Sequence, residues 1–178
     1  VSSALDFILP FEKYKITAGA KVSFTNTRNG INYDTSDPTL VQDDYFRYKE
    51  QIYALYADYS REFSERFSMQ LGLRMEHTRT TGISEAKDTE DKHDYTRLFP
   101  TVYLLYSPTD GHALNFSFSN RISRPSQNMV NPFPFYQNKY TYACGREDLK
   151  PSYTYNAELG YTLKNNFNVS AYYSYSDD

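Results

Sequence analysis

Residues 152–164, SYTYNAELGYTLK, alternate almost without a fault. Tyr153, Tyr155, Ala157, Leu159, Tyr161 and Leu163 fall on one side. Thr154, Asn156, Glu158, Gly160, Thr162 and Lys164 fall on the other. A period of two is that of an extended strand with one apolar and one polar face. The same period recurs over residues 3–9, 14–25, 45–60, 67–80, 95–106, 113–121 and 167–175. In the fourth of these segments Phe67, Met69, Leu71, Leu73 and Met75 oppose Ser68, Gln70, Gly72, Arg74 and Glu76. The pattern therefore predicts an all-β chain, an antiparallel up-and-down meander of about eight strands.

No segment reads as a stable helix. Residues 58–66, DYSREFSER, have room for one helical turn, too short to stand alone. Pro100 inside the 95–106 segment predicts a bulge or a nearby strand end, because proline has no N–H for the ladder. The connections alternate in length. Residues 10–13, 61–66, 107–112 and 164–166 are short, and SPTDG and NN are good turn formers. Residues 26–44, 81–94 and 122–152 are long. In a meander, alternate connections share an end, so short turns gather at one end and long loops at the other. Outer-membrane barrels have that asymmetry.

What covers the apolar faces decides the class. The polar faces carry Lys15, Lys21, Glu50, Asp58, Arg74, Glu76 and Glu158, too many charges for a dry interior. No helix is available to cover the opposite faces, and lipid is the simplest cover. A soluble β-sandwich or small β-barrel acting as a binding module is the rival, since its strands alternate too. The mean hydropathy of -0.73 does not speak against a membrane, because a spanning strand needs only about ten alternating residues. No apolar run is long enough for a transmembrane helix. The 19 Tyr and 12 Phe suit strands and water–lipid boundaries. The net charge of -3 gives no basic field, so nucleic acid is excluded as a partner. The first residues have no basic start of a signal peptide, and the last, AYYSYSDD, still follow a strand pattern. Both ends look cut, so residues 1–178 read as a single β-barrel segment, a fragment whose eight strands either close alone into a small barrel or stay an open, curved sheet.

Sites of chemistry are few. His77, His93 and His112 show no metal-ligand spacing, and no nucleophile, P-loop or zinc motif occurs. Residues 84–94, SEAKDTEDKHD, hold many oxygen ligands but lack the glycine and spacing of a calcium loop, and read as a solvated loop. No metal site, cofactor or catalytic residue is expected. An eight-stranded outer-membrane enzyme is a further alternative, with His77 and His93 as its only candidates. The loop 122–152 carries Phe133, Phe135, Tyr136, Tyr140 and Tyr142 beside Arg124, Lys139 and Arg146. Aromatics next to cations can stack sugars or flat ligands, or can pack the loop on itself. Cys144 reads as a free thiol in that loop.

The order RISRP (121–125), NPF (131–133), then Gly145, LKP (149–151) and ELGYT (158–162) resembles the C-terminal half of the barrel in TonB-dependent outer-membrane receptors. It is most similar to the Bacteroidetes "outer membrane protein beta-barrel" family. YKEQIYALYADYSREF, FSMQLGLRMEHT and RLFPTVYLLYSPTDGHALNFSFS resemble that family's preceding hairpins. Arg146 and Glu147 after Gly145, and Ser152 after Pro151, depart from its loop pattern. The resemblance implies a barrel of about 22 strands around a plug, in the outer membrane of a Gram-negative bacterium. It implies nutrient binding at the outer mouth and import without any bond made or broken. The implied partners are outer-membrane lipid, TonB through a plug domain absent from this chain, a surface lipoprotein and a nutrient ligand. On that reading Arg124, Tyr136, Tyr140 and Tyr142 contact the nutrient, with Arg97 and Arg121 near the mouth.

Overall fold

The structure is a computed structural model that describes residues 1–31, 44–84, 89–131, 135–138, 140–146, 148–164 and 166–177. The strands are β1 (Ser2–Pro10), β2 (Tyr14–Ile31), β3 (Asp44–Ser64), β4 (Phe67–Ser84), β5 (Thr89–Tyr106) and β6 (His112–Ser123). A single helical turn, α1 (Gln127–Val130), and a small hairpin, β7 (Phe135–Asn138) with β8 (Thr141–Ala143), follow. β9 (Ser152–Leu163) and β10 (Phe167–Asp177) close the chain. The 8-stranded sheet runs β1-β2-β3-β4-β5-β6-β9-β10, each strand antiparallel to the next. Among the described residues β1 and β10 do not pair, so the sheet is open.

The strands extend further than the alternation does. β2, β4 and β5 run on through residues 26–31, 81–84 and 89–94, which were expected as loop. Residues 85–88 of the same acidic stretch lie outside the described residues. In these extensions polar residues dominate both faces, with Ile31 and Ile83 the exceptions, which erases the hydrophobic signal while leaving the backbone ladder intact. Residues 58–66 are not a helical turn. They are the end of β3 and a tight turn, with a register shift between Glu62 and Ser64. The helical turn lies instead at α1, inside the loop after β6.

Register fixes which side chains share a face. Leu71 pairs with Tyr59 on one side and Val102 on the other; Glu76 pairs with Ala54 and Arg97. The large apolar residues point outward and are open: Leu55 is 55% and Leu73 50% exposed. The buried residues include Glu76 and Thr78, on the opposite face. A sandwich would bury Leu55 and Leu73 under a second layer, and the described residues supply none. Aromatic rings border the outward apolar face. Phe24 meets Tyr53 and Tyr53 meets His77 at one edge, with ring centroids 5.9 and 6.3 Å apart. Phe67 meets Tyr106 at 6.4 Å at the other. Phe67 to His77 spans about ten residues of β4, or about 33 Å of strand. At a barrel tilt of about 40° this gives a band about 25 Å tall, the height of a spanning β-barrel's apolar belt. Beyond His77 the outward residues turn polar, so 44–52 of β3, 78–84 of β4 and 89–95 of β5 rise above the band.

Candidate functional site

The site begins with a parting of two strands. β5 pairs with β6 only from Thr101 to Tyr106, and the ladder stops one residue short of Pro100. β6 and β9 stay paired up to Ser123 and Ser152. Their common end swings across the inner face of β5. Phe99, an inward residue of β5, stacks on Tyr153 of β9 with centroids 6.5 Å apart. Arg97 lies 5.1 Å over the same ring. The expectation of a strand end near Pro100 thus holds for the β6 side alone, while the β4 side pairs straight through, Pro100 opposite Leu73.

This bend carries Arg124 inward, over β4 and β3. Its guanidinium donates to Glu76 and, at 3.1 Å, to the Thr78 hydroxyl. Glu50 of β3 lies 3.8 Å away, and Arg74 meets the other oxygen of Glu76 at 2.5 Å. Glu76 is 4% exposed and Thr78 fully buried. The carboxylate of Glu76 is thus held between two guanidiniums, the arrangement a buried charge requires. Burial pushes the Glu50 carboxyl up from its usual range, with Arg124 opposing and Glu76 adding to the rise. Burial, then the nearby Glu50 charge, pushes the Tyr48 hydroxyl up to about 12. Both groups stand in the part of β3 above the apolar band.

Past Arg124 the loop folds down onto the inner wall. Val130 packs on Phe46, with Tyr48 and Leu149 around them. The base of the loop is clasped by two backbone bonds, Gly145 N–H to the Asn131 carbonyl at 2.8 Å and Arg146 N–H to the Met129 carbonyl at 2.7 Å. A β-carbon at residue 145 would collide with both those carbonyl oxygens, so only glycine allows the approach. Above Arg124 a cavity of about 40 Å³ remains, too small for a ligand. Below it an open concavity of about 590 Å³ faces the lumen, lined by Lys21, Asp58, Arg74, Glu76, Arg121 and Arg124. That volume suits a small polar molecule.

The residues singled out from sequence do not form one cluster. Arg124 is engaged by Glu76 and Thr78, and Arg97 by Tyr153. Arg121 is exposed in the concavity. Tyr140 is 95% exposed at the turn of the β7–β8 hairpin, and Tyr142 is 59% exposed. Tyr136 pairs by backbone with Tyr142; its side chain, Phe133, the side chain of Phe135 and Lys139 lie outside what is described. Cys144 is exposed and free. His77 points outward beside Asp94 and Thr96, while His93 points inward beside Asp91. The two histidines lie on opposite faces of the sheet and share no site. Thr78, Phe46 and Val130 were missed. Parity alone places Phe46, Glu50, Glu76 and Thr78 on the inner face, so the wall was within reach of the pattern. Val130 carried no signal, because it belongs to a loop without period.

The family model of the outer membrane protein beta-barrel family matches residues 1–178. No curated protein matches the chain. Among solved structures, the copper transporter OprC is similar, with a TM-score of 0.71 and 12% identity, over 99% of this chain and 30% of its own. The ferric-catecholate import receptor Fiu from E. coli K12 has a TM-score of 0.65 and 11% identity, over 97% of this chain and 30% of its own. The ferric yersiniabactin uptake receptor FyuA from Yersinia pestis has a TM-score of 0.63 and 16% identity, over 98% of this chain and 28% of its own. The chain therefore spans under a third of the length of these structures. The fold is that of the barrel of TonB-dependent receptors.

Proposed function

Because this chain belongs to the outer membrane protein beta-barrel family, and so resides in a Gram-negative outer membrane, we propose that it forms part of the wall of a TonB-dependent nutrient importer. The observation that carries this reading is the match over every residue to a barrel family, on a sheet whose inner face is charged and whose outer face is apolar. A sheet of eight strands covers part of a barrel of about 22, in keeping with the share of the similar structures that it spans.

In this reading the work is binding and passage, with no bond made or broken. The exposed Tyr140 and Tyr142, with Tyr136 across the hairpin, make first contact with the nutrient. Arg121 receives it in the concavity below. Arg124 holds the loop base in place while the cargo passes, and Arg97 steadies the β6–β9 tip through Tyr153. A plug pulled by TonB opens the way inward, and a surface lipoprotein delivers the cargo from outside. The similar structures are named for different cargoes, copper, ferric yersiniabactin and ferric catecholates. That variety supports import as the shared function and leaves the cargo to the loop and concavity.

The test is growth of the source cell, deleted for the complete gene, on single nutrients. Wild-type complementation restores growth on at least one nutrient at limiting supply. Complementation with Tyr140→Ala/Tyr142→Ala raises the supply needed by several-fold. If no nutrient depends on the gene, import is the wrong function. If the double variant grows as wild type, the hairpin is not the entry site.

A further inference from the structure

The parting of β5 from β6 leaves a length of β5 with one neighbour instead of two. The Ser107 N–H donates to the Arg66 carbonyl at 2.8 Å. In an antiparallel ladder alternate residues bond the same neighbour, so the odd-numbered residues of β5 bond β4. The even-numbered ones turn their N–H and C=O groups toward β6. Pro100 is even, so the donor it lacks is one that β6 would have used, while the β4 ladder passes it unbroken. Beyond it Glu90, Lys92, Asp94, Thr96 and Leu98 aim their backbone groups at a side where no strand stands among the described residues. These five span about 26 Å of edge. The edges of β1 and β10 are removed when a barrel closes; this one lies inside the strand order, and closure leaves it open. Proteins blunt such edges with proline, bulges or charges. No proline lies between residues 89 and 99, and the β4–β5 register runs without a shift. The charges of Lys92 and Asp94 are spent on Glu90 and Arg79, each at 2.9 Å.

Beside this edge is an open space of about 450 Å³. Lys92, His93, Asp94 and Tyr95 line it in succession. Successive side chains of a strand point to opposite faces, so a space that touches all four runs along the edge itself. Its far wall is formed by Lys150, Tyr153 and Asp177, from the tips of β9 and β10. Arg97 and Lys150 in its lining have no carboxylate within ion-pair distance among the described residues, against Asp177 as the one acid equally free. An occupant must therefore offer a row of backbone donors and acceptors and carry negative charge. A slot walled on both sides takes a single strand. The edge of a folded protein would drive its own neighbouring strand into β9.

We propose that the open edge of β5 captures an extended, acidic oligopeptide by strand addition. The peptide backbone continues the ladder past Pro100, and its alternate side chains point at Arg97 and Lys150. The site stands apart from the concavity below Arg124. It names a class of cargo, and so rests on the import reading for passage but not for capture.

The complete protein in mild detergent tests this by fluorescence anisotropy. The probe is a labelled peptide of alternating Glu and Val, as long as Glu90–Leu98. Wild type is expected to bind it at least tenfold more tightly than the same peptide N-methylated at every amide, which keeps the charge but cannot join a ladder. Replacing Glu by Lys in the peptide is expected to weaken binding as much. Thr96→Pro removes one edge N–H and is expected to weaken binding at least tenfold. Arg97→Gln/Lys150→Gln is expected to erase the preference for Glu over Lys. Heat-dependent gel migration reads barrel integrity; should Thr96→Pro not fold, the N-methylated peptide reads the same hydrogen bonds on wild type. No binding of the Glu peptide, or equal binding of its methylated form, overturns the proposal. So does a loss of equal size from Thr96→Ala, which keeps the amide. Binding only when the segment is fused to a folded carrier overturns the free oligopeptide in favour of a protein partner. Tight binding without uptake by the source cell strikes at import and leaves capture standing.

Discussion

Glu76 is a buried carboxylate whose charge is tolerated because Arg124 and Arg74 face its two oxygens. Removing only the acid leaves Arg124 with the Thr78 hydroxyl and the more distant Glu50 carboxylate, 3.8 Å away, and leaves Arg74 without its partner. Glu76→Ala is expected to cost about 3–5 kcal/mol, whereas Glu76→Met with Arg124→Met is expected to cost less, because the buried guanidinium leaves with the acid, although Glu50 and the half-exposed Arg74 each lose a partner. Urea unfolding of the complete protein in detergent separates the two. Glu50 behaves differently. Burial raises its folded-state pKa above the usual 4.5, outweighing the nearby Arg124. A carboxyl raised on folding contributes stability below its unfolded pKa, and that contribution is lost as pH rises through the folded value. Glu50→Gln should therefore match wild type near pH 4 and be the more stable of the two at pH 7. A wild-type advantage at pH 7 would show that Arg124 outweighs burial. The inner placement of Glu50 and Glu76 was legible, since both share a parity with Asp58 and Arg74. The reach of Arg124 was not, because it follows the last strand residue and precedes a proline, where alternation says nothing of direction.

At the scale of elements, two backbone features shape the loop. The first is Pro100, which ends the β5–β6 ladder and frees β6 and β9 to cross inside β5. The second is the clasp of Gly145 and Arg146 on residues 129–131. Gly145→Ala puts a methyl against two carbonyl oxygens. Overpacking of this kind costs about 1–3 kcal/mol, so the clasp opens about 10–100-fold more often. Limited proteolysis on intact cells should then cut the 124–151 loop faster, with the barrel unaffected. An unchanged rate would mean that the clasp does not hold the loop. The glycine was visible in the sequence as part of a recurring loop pattern, but its partners were not. They come from the backbone of a helical turn that the sequence did not announce. The strand extensions were hidden for a related reason: above the bilayer neither face needs to be apolar, so hydrogen bonding continues where the pattern stops.

At the scale of the molecule, the order of the 8-stranded sheet was legible, because consecutive alternating runs pair in chain order whether a short turn or a long loop joins them; the β7–β8 hairpin was not, because it lies inside a loop without period. The medium around the sheet was not legible, because a sandwich and a barrel alternate alike. What separates them is the inversion of burial, with Leu55 and Leu73 open and Glu76 closed. That inversion makes a further measurable claim about Leu71 and Gln70, neighbours on β4 with opposite faces. Leu71 stands four residues from Phe67 and six from His77, near the middle of the apolar band. An arginine there must desolvate in hydrocarbon or pull water and headgroups inward. Leu71→Arg is therefore expected to cost about 2–4 kcal/mol of stability in a bilayer. Gln70→Arg places the same side chain in the wet lumen, where surface substitutions change stability by about 0.5 kcal/mol. Both variants carry the same added charge on the same strand, so net charge and strand propensity cancel in the comparison. Unfolding of the complete protein in phospholipid vesicles gives the difference directly. Equal costs would place both faces in the same medium and remove the bilayer from the outer face.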